Sequence, residues 1–185
     1  MYKELKHNFI YLLHPLPAFL ITSISKLGKP NVMTASWVIP MSITPPLVIL
    51  SLRPERFTSQ LIKETREFVV NMPPYELAEA TLICGKVSGR DKDKFKLANL
   101  TPIPGNKVKA PIIKECIAHI ECALEDIIDV KGDHLLFIGK VVYSQVEEDK
   151  FDRIYTLEKF NPAMYLGQDT YTTCKEAEKI IPNMG

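Results

Sequence analysis

The sequence predicts a mainly β fold, an antiparallel barrel that is closed or half-open and carries only short helices. Three observations predict it. The first half of the chain alternates strand-like runs with proline breakers. Two long arms rich in β-branched and apolar residues flank a Lys131-Gly132 turn. The order of elements is not the strand-helix alternation of a doubly wound parallel sheet.

In chain order, Ala18 to Ser25 reads as a strand, rich in Phe, Leu, Ile and Thr. Val32 to Pro40 follows the turn Gly28-Lys29-Pro30-Asn31 and forms a hairpin with it, and Leu47 to Arg53 follows the breaker pair Pro45-Pro46. Thr58 is placed to cap a short helix through Arg66, with Leu61 and Ile62 on its inner side. Glu67 to Met72 returns to strand. Pro73-Pro74 opens a second helix in which Leu77, Ala80, Thr81 and Cys84 recur at helical spacing and which Gly85 is expected to end. Val87 to Pro111 reads as a long loop with one helical turn around Asp93 to Leu97; a loop of that length in a compact domain is functional or disordered. Glu115 to Val130 and Asp133 to Val146 pair as a long hairpin, whose length suits a coiled barrel or strands shared with a second subunit. Cys174 to Ile181 reads as a short amphipathic helix stopped by Pro182.

A length of 185 residues supports one domain, residues 1–185, around one well-filled core. The formal net charge is +1 and no run of like charges forms a basic arm, so nucleic acid is not an expected partner. Phe9 to Ile21 is the most apolar early stretch, but His14, Pro15 and Pro17 break it. It falls short of the ~20 residues of a membrane span and lacks a signal peptide's cleavage pattern. The expectation is a soluble, cytoplasmic protein with no membrane partner. Of the four cysteines, none forms a C-x-x-C pair and no histidine has zinc-site spacing, so no metal is expected. Cys116 and Cys122, an even number of residues apart in a strand-like run, are expected to point to one face as small core residues.

No G-x-G-x-x-G follows a strand and no G-x-x-x-x-G-K-[ST] occurs, so the two common phosphate cradles are absent. The run Ser51-Leu52-Arg53-Pro54-Glu55-Arg56-Phe57-Thr58 passes from a strand end to a helix start. It gathers free backbone N–H groups, two guanidinium groups and two hydroxyls, the ingredients of a phosphate site; the plainer reading is a surface turn with a Thr cap. Ser88-Gly89-Arg90-Asp91-Lys92-Asp93-Lys94-Phe95 offers a hydroxyl, a flexible glycine and three cations beside two carboxylates, and reads either as an anion contact or as a solvated loop. Thr34-Ala35-Ser36-Trp37 sets small residues beside the sole tryptophan, so that a planar ligand can approach the backbone with Trp37 as a wall; a structural Trp is the alternative. His134, beside Asp133 at the hairpin turn, is a candidate to protonate a reduced ring or to contact a nicotinamide, or else a plain turn histidine. No Ser-His-Asp or Cys-His arrangement supports hydrolysis. A redox cofactor would remove the need for a strong protein nucleophile.

Taken in order, these segments resemble the flavin reductase-like, FMN-binding split-barrel family, in particular its flavoredoxin-like branch. The matching stretches are Asn31-Val32-Met33-Thr34-Ala35-Ser36-Trp37, Pro45 to Arg53, Arg56-Phe57-Thr58, Glu67 to Asn71, Cys84-Gly85, Ser88 to Phe95, Ala110-Pro111, Glu121-Cys122 and Gly132-Asp133-His134 through Gly139. They span about residues 15 to 171, and Pro162 to Tyr165, Gly167 and Tyr171 resemble the family's closing segment more loosely. The resemblance implies that Met33, Thr34, Ala35, Ser36 and Trp37 edge the isoalloxazine ring of a bound FMN, with Ser51 and Leu52 on its other side. It places the phosphate among Arg56, Thr58, Ser88, Gly89 and Lys94, with Arg53 and Phe57 in the same turn, and gives Asn71 to the loop geometry or the ribityl chain. It further implies a homodimer with flavin near the interface. The expected activity is hydride transfer from NADH or NADPH to flavin with His134 as the catalytic candidate; the alternative is a bound-FMN carrier serving a ferredoxin or another redox protein.

Overall fold

The computed structural model describes residues 2–5, 7–174 and 177. A short strand, β1 (Leu16–Pro17), leads into β2 (Phe19–Ile24) and β3 (Pro30–Ala35), which pair antiparallel as a hairpin with Thr22 opposite Val32. The chain then breaks for two residues and resumes as β4 (Val38–Ser42) and β5 (Leu47–Leu52). After helix α1 (Phe57–Thr65) come β6 (Glu67–Met72), a 3-10 turn at Tyr75–Leu77, helix α2 (Ala78–Lys86) and the four-residue α3 (Lys94–Leu97). The small pair β7 (Pro102–Ile103) and β8 (Ile112–Ile113) precedes the long arms β9 (Ala118–Asp129) and β10 (Leu135–Val146). Two minor hairpins close the chain, β11 (Phe151–Asp152) with β12 (Ile154–Tyr155) and β13 (Met164–Gly167) with β14 (Thr170–Thr172).

Seven strands form one antiparallel sheet in the order β3-β2-β6-β9-β10-β5-β4. Its two edge strands, β3 and β4, are consecutive in sequence, so the chain passes from one end of the sheet to the other at Ser36-Trp37. This corrects the expectation of one continuous strand from Val32 to Pro40. There the backbone leaves the β2 ladder, and the Trp37 carbonyl accepts a bond from the Ser51 N–H of β5 instead. The strands curl around a core of alternating inward residues, among them Ile21, Leu50, Leu52, Phe68, Val70, Leu124 and Phe137. Register shifts at Ile138/Gly139 and Val141/Tyr143 bend the long hairpin, as closure of a small barrel requires. A Cβ at Gly139 would stand 2.5 Å from Phe68 Cζ and 3.0 Å from Cys122 Cβ, so glycine there lets the Phe68 ring cross the sheet.

Helix α1 lays Leu61 and Ile62 on the core. Its N-cap is Arg56, whose side chain makes no capping bond; Thr58 is not the cap but lies within the first turn of the helix, where its hydroxyl accepts from Asn31 Nδ2. Helix α2 covers the opposite face of the sheet through Ala80 and Cys84, which join Leu20, Val32, Phe95 and Ile113 in a second cluster. It runs one residue past Gly85 to Lys86, so Gly85 does not end the helix; a Cβ there would lie 3.4 Å from the Thr34 Cβ, in ordinary van der Waals contact. Within the 87–111 segment the expected helical turn forms as α3, and the short strand β7 follows it. Cys116 and Cys122 do not share a face. Strand β9 begins only at Ala118, and the two thiols belong to separate core clusters. A helix over Cys174 to Ile181 lies outside the described residues apart from Cys174 and Ala177.

Candidate functional site

The break between β3 and β4 opens onto a cleft of about 510 Å³, within the usual range for a small-molecule site. One wall is the backbone turn itself, with Met33, Thr34, Ala35, Ser36 and Trp37 all lining it. Thr34 Oγ1 donates to the Thr81 carbonyl, which ties this wall to α2. The facing wall is the end of β5 and the turn after it: Ser51, Leu52, Arg53, Arg56, Phe57 and Thr58. The floor comes from the end of α2 and the loop through Ser88, Gly89 and Lys94. Residues far apart in sequence, from Asn31 to Lys94 and on to His134, are thus brought together, with the sheet seam and the packing of α2 on β3 closing the gap between the walls.

At the outer end, the Trp37 and His134 rings lie 4.7 Å apart at 35°. His134 Nδ1–H donates to Asp133 Oδ1 at 2.7 Å, and Asp133 Oδ2 meets the Arg53 guanidinium at 3.0 Å. The histidine beside it is the main cause holding the exposed Asp133 carboxyl below its ordinary pKa. Trp37 is therefore neither a core residue nor freely solvated: it stands 36% exposed as a wall of the cleft with His134 against it.

The inner end is cationic. Lys94 is 5% exposed and its ammonium donates to the Cys84 carbonyl at 2.9 Å. Burial pushes its pKa down from 10.5 to about 8; the Cys84 thiol raises it slightly and the positive charge of Arg56 adds to the lowering. Arg90 lies over the Phe57 ring at 5.1 Å, with its guanidinium donating to the Glu55 carbonyl and to Gln60 Oε1. Among the described residues none of Arg56, Arg90 and Lys94 forms an ion pair with a carboxylate. Three cations converging without a counter-charge, beside the backbone N–H groups that open α1, make an anion site.

Asn31 was not singled out as a site residue from the sequence, yet it organises this end. It is 5% exposed, and its Nδ2 donates to Ser23 Oγ at 3.2 Å and to Thr58 Oγ1 at 2.9 Å. The Thr58 hydroxyl, having accepted, keeps its own proton to donate. A Cβ at Gly89 would overlap the Asn31 carboxamide oxygen, so only glycine lets the loop close on Asn31. Cys84, Gly85, Lys86 and Val87 also line the cleft. Helical periodicity marks Cys84 as core, and no sequence signal shows that the end of α2 faces a ligand.

Asn71 is the one cofactor candidate the fold does not bring to the cleft. It is fully buried in β6, where its Nδ2 donates to the Leu20 carbonyl and its Oδ1 accepts from the Ile113 N–H and bonds His119 Nδ1. It fixes the chain around Ile113. It does not line the cleft that receives the other candidates.

A family model described as a flavin reductase like domain matches residues 11–173. An uncharacterized protein of Archaeoglobus fulgidus is 41% identical over 136 residues, which is 74% of this chain and 75% of that one. The flavoredoxin of Desulfovibrio vulgaris superposes with a TM-score of 0.88 at 28% identity, covering 100% of this chain and 99% of that one. An FMN-binding protein from Thermus thermophilus, solved with bound p-hydroxybenzaldehyde, gives 0.82 at 27% identity over 98% of this chain and 97% of that one. The likeness to these split-barrel proteins agrees with the strand order and the mainly β class.

Proposed function

Because the chain belongs to the flavin reductase-like domain family, we propose that it binds FMN in the seam cleft and passes electrons between NADH or NADPH and that flavin. The observation that carries this reading is the pairing, in one cleft, of a small-residue wall beside Trp37 with three cations that lack a counter-charge. The residues fit the group at both ends. Arg56, Arg90 and Lys94, with the Thr58 and Ser88 hydroxyls, would hold the phosphate. Ala35 and Ser36 are small enough for a flat ring to lie against the backbone. Bound FMN supplies hydride chemistry between a nicotinamide and an acceptor, so the chain needs no nucleophile of its own.

The chain's own work is orientation and charge. Trp37 and Leu52 keep water from the ring end. Asp133 fixes the His134 tautomer through Nδ1, which leaves Nε2 for a proton or a nicotinamide carboxamide. Arg56→Ala is expected to weaken FMN binding by about 1.5–3 kcal/mol, the worth of a charge-assisted bond, in a fluorescence titration of the purified protein. Unchanged affinity would place the phosphate elsewhere.

The likeness to a flavoredoxin favours a second reading, in which FMN stays bound and serves a redox protein such as a ferredoxin. An anaerobic visible spectrum separates the two. Rapid bleaching on adding NADH or NADPH supports the reductase, and a flavin spectrum that persists supports the carrier.

A homodimer is part of the proposal. Strand β4 is a sheet edge, and Ile39 and Met41 on it and Ile43 just after it are 57%, 49% and 93% exposed, next to Trp37 at the cleft. Unpaired edges carrying apolar side chains invite a partner. Ile39→Lys is expected to shift the protein from dimer to monomer in light scattering, with loss of FMN affinity in step. A dimer that survives the charge would move the interface off β4.

A further inference from the structure

A second compartment of about 280 Å³ opens behind the wall of the flavin cleft and shares five residues with it: Thr34, Ala35, Ser36, Gly85 and Lys86. Its own lining is different in kind. Ala18 and Leu82 are apolar, and Tyr165 and Tyr171 of the closing hairpin stand with ring centroids 5.3 Å apart at 53°. Among the described residues neither phenol hydroxyl has a protein hydrogen-bond partner, although both side chains are partly buried. Burial pushes the Tyr171 phenol up to about 12, so it stays protonated and able to donate.

The hairpin that carries the tyrosines is held over this compartment. Gln168 and Asp169 both take positive φ, 49° and 63°, the two-residue turn that suits the twist of paired strands. Gly167 precedes them at φ 114°, where any side chain would run into the Tyr11 ring. This turn sets Asp169 against Lys86 at the end of α2, with Oδ2 2.6 Å from Nζ. The pair neutralises Lys86, the one cation lining the compartment among the described residues, and so leaves a space of aromatic faces and neutral donors. That chemistry does not suit a phosphate or a free carboxylate. It suits a flat neutral ring with an oxygen acceptor.

We propose that this compartment is the subsite for a small planar ring bearing a carbonyl oxygen, of the size of a benzaldehyde, lying against the paired rings of Tyr165 and Tyr171 beside the flavin cleft. The proposal rests on the FMN reading above, since the shared wall is what brings such a ring to the cofactor. Lys86 and Asp169 act as the tether that keeps the two tyrosines over the space.

The test is calorimetric titration of the FMN-loaded protein with p-hydroxybenzaldehyde and, separately, with free nicotinamide, preceded by an FMN titration of each variant. Tyr171→Phe is expected to raise the aldehyde dissociation constant about three- to tenfold, the loss of one neutral hydrogen bond. Leu82→Trp fills the compartment and is expected to abolish aldehyde binding while FMN affinity stays within twofold of the parent. Failure of the parent protein to bind FMN defeats the FMN reading itself. FMN binding with no aldehyde binding, or with aldehyde binding indifferent to both substitutions, overturns the subsite alone. Nicotinamide binding tighter than the aldehyde overturns it as well, because the ring accommodated would then be that of the electron donor.

Discussion

Lys94→Met is expected to weaken FMN binding by about 2–5 kcal/mol, more than any other single replacement in the cleft, because it removes a charge held almost entirely away from water. The ammonium has one hydrogen bond, to the Cys84 carbonyl, and its other protons are not matched by a carboxylate among the described residues. Its position costs the free protein: burial, with Arg56 adding repulsion, brings the pKa down to about 8. A phosphate dianion in the same place holds the proton on Lys94. From neutral pH FMN affinity is therefore flat up to about pH 8 and falls above it, by at most tenfold per pH unit, as the free protein gives up a proton that the complex must take back. Stability of the free protein runs the other way. The folded value lies under the unfolded value of 10.5, so the unfolded chain binds more protons between the two, and stability rises across that window. Titrations of FMN fluorescence from neutral pH upward read the first effect. A Lys94→Met variant that keeps the parent's fall in affinity above pH 8 would assign that fall to another group.

Glu121→Ala should cost about 3 kcal/mol or more of folding stability, since it strands several backbone donors at once. The carboxylate is fully buried in β9 and accepts from the N–H groups of Asn106, Lys107 and Val108 at 2.7, 2.6 and 3.0 Å. Burial alone would push its pKa up; the backbone donors outweigh that and hold it below the ordinary carboxylate value. By that sign its stabilisation is present above the unfolded pKa of about 4.5 and is lost as pH falls through the lower folded one. Urea melts at pH 7 and near pH 3 measure both parts. A variant as stable as the parent at pH 7 would mean that the 103–110 loop finds its donors elsewhere.

The runs that form the seven-stranded sheet were legible in the sequence because they are dense in β-branched and apolar residues and are set off by Pro, Gly or polar turns, whereas the two- to four-residue strands β1, β7, β8 and β11 to β14 are too short to leave a pattern. The break at Ser36-Trp37 was not legible. Val38 to Pro40 has the same apolar character as Val32 to Ala35, and only the tertiary path shows that the two pieces belong to opposite ends of one sheet. Most of the cleft was legible through motifs whose residue types suit an anion or a flat ring, and the turns that hold them are local. Asn31 was not, because its importance lies in contacts with Thr58 and Gly89, distant in sequence. For Asn71 the resemblance left loop geometry and the ribityl chain open, because which buried groups it satisfies, here the Leu20 carbonyl and the Ile113 N–H, depends on the tertiary path.

The seam at Ser36-Trp37 makes the ligand part of the architecture. Everywhere else neighbouring strands are stitched by a ladder, but β3 and β4 are joined only through two covalent units, and the proposed flavin lies across that gap. A molecule gripping the end of β3, the end of β5 and the tip of α2 together works as a clasp on a cylinder with one open stave. With flavin so placed, retaining the cofactor and keeping the cylinder shut would be linked, and free flavin would add to the barrel's own resistance to opening in proportion to the logarithm of its excess over the dissociation constant.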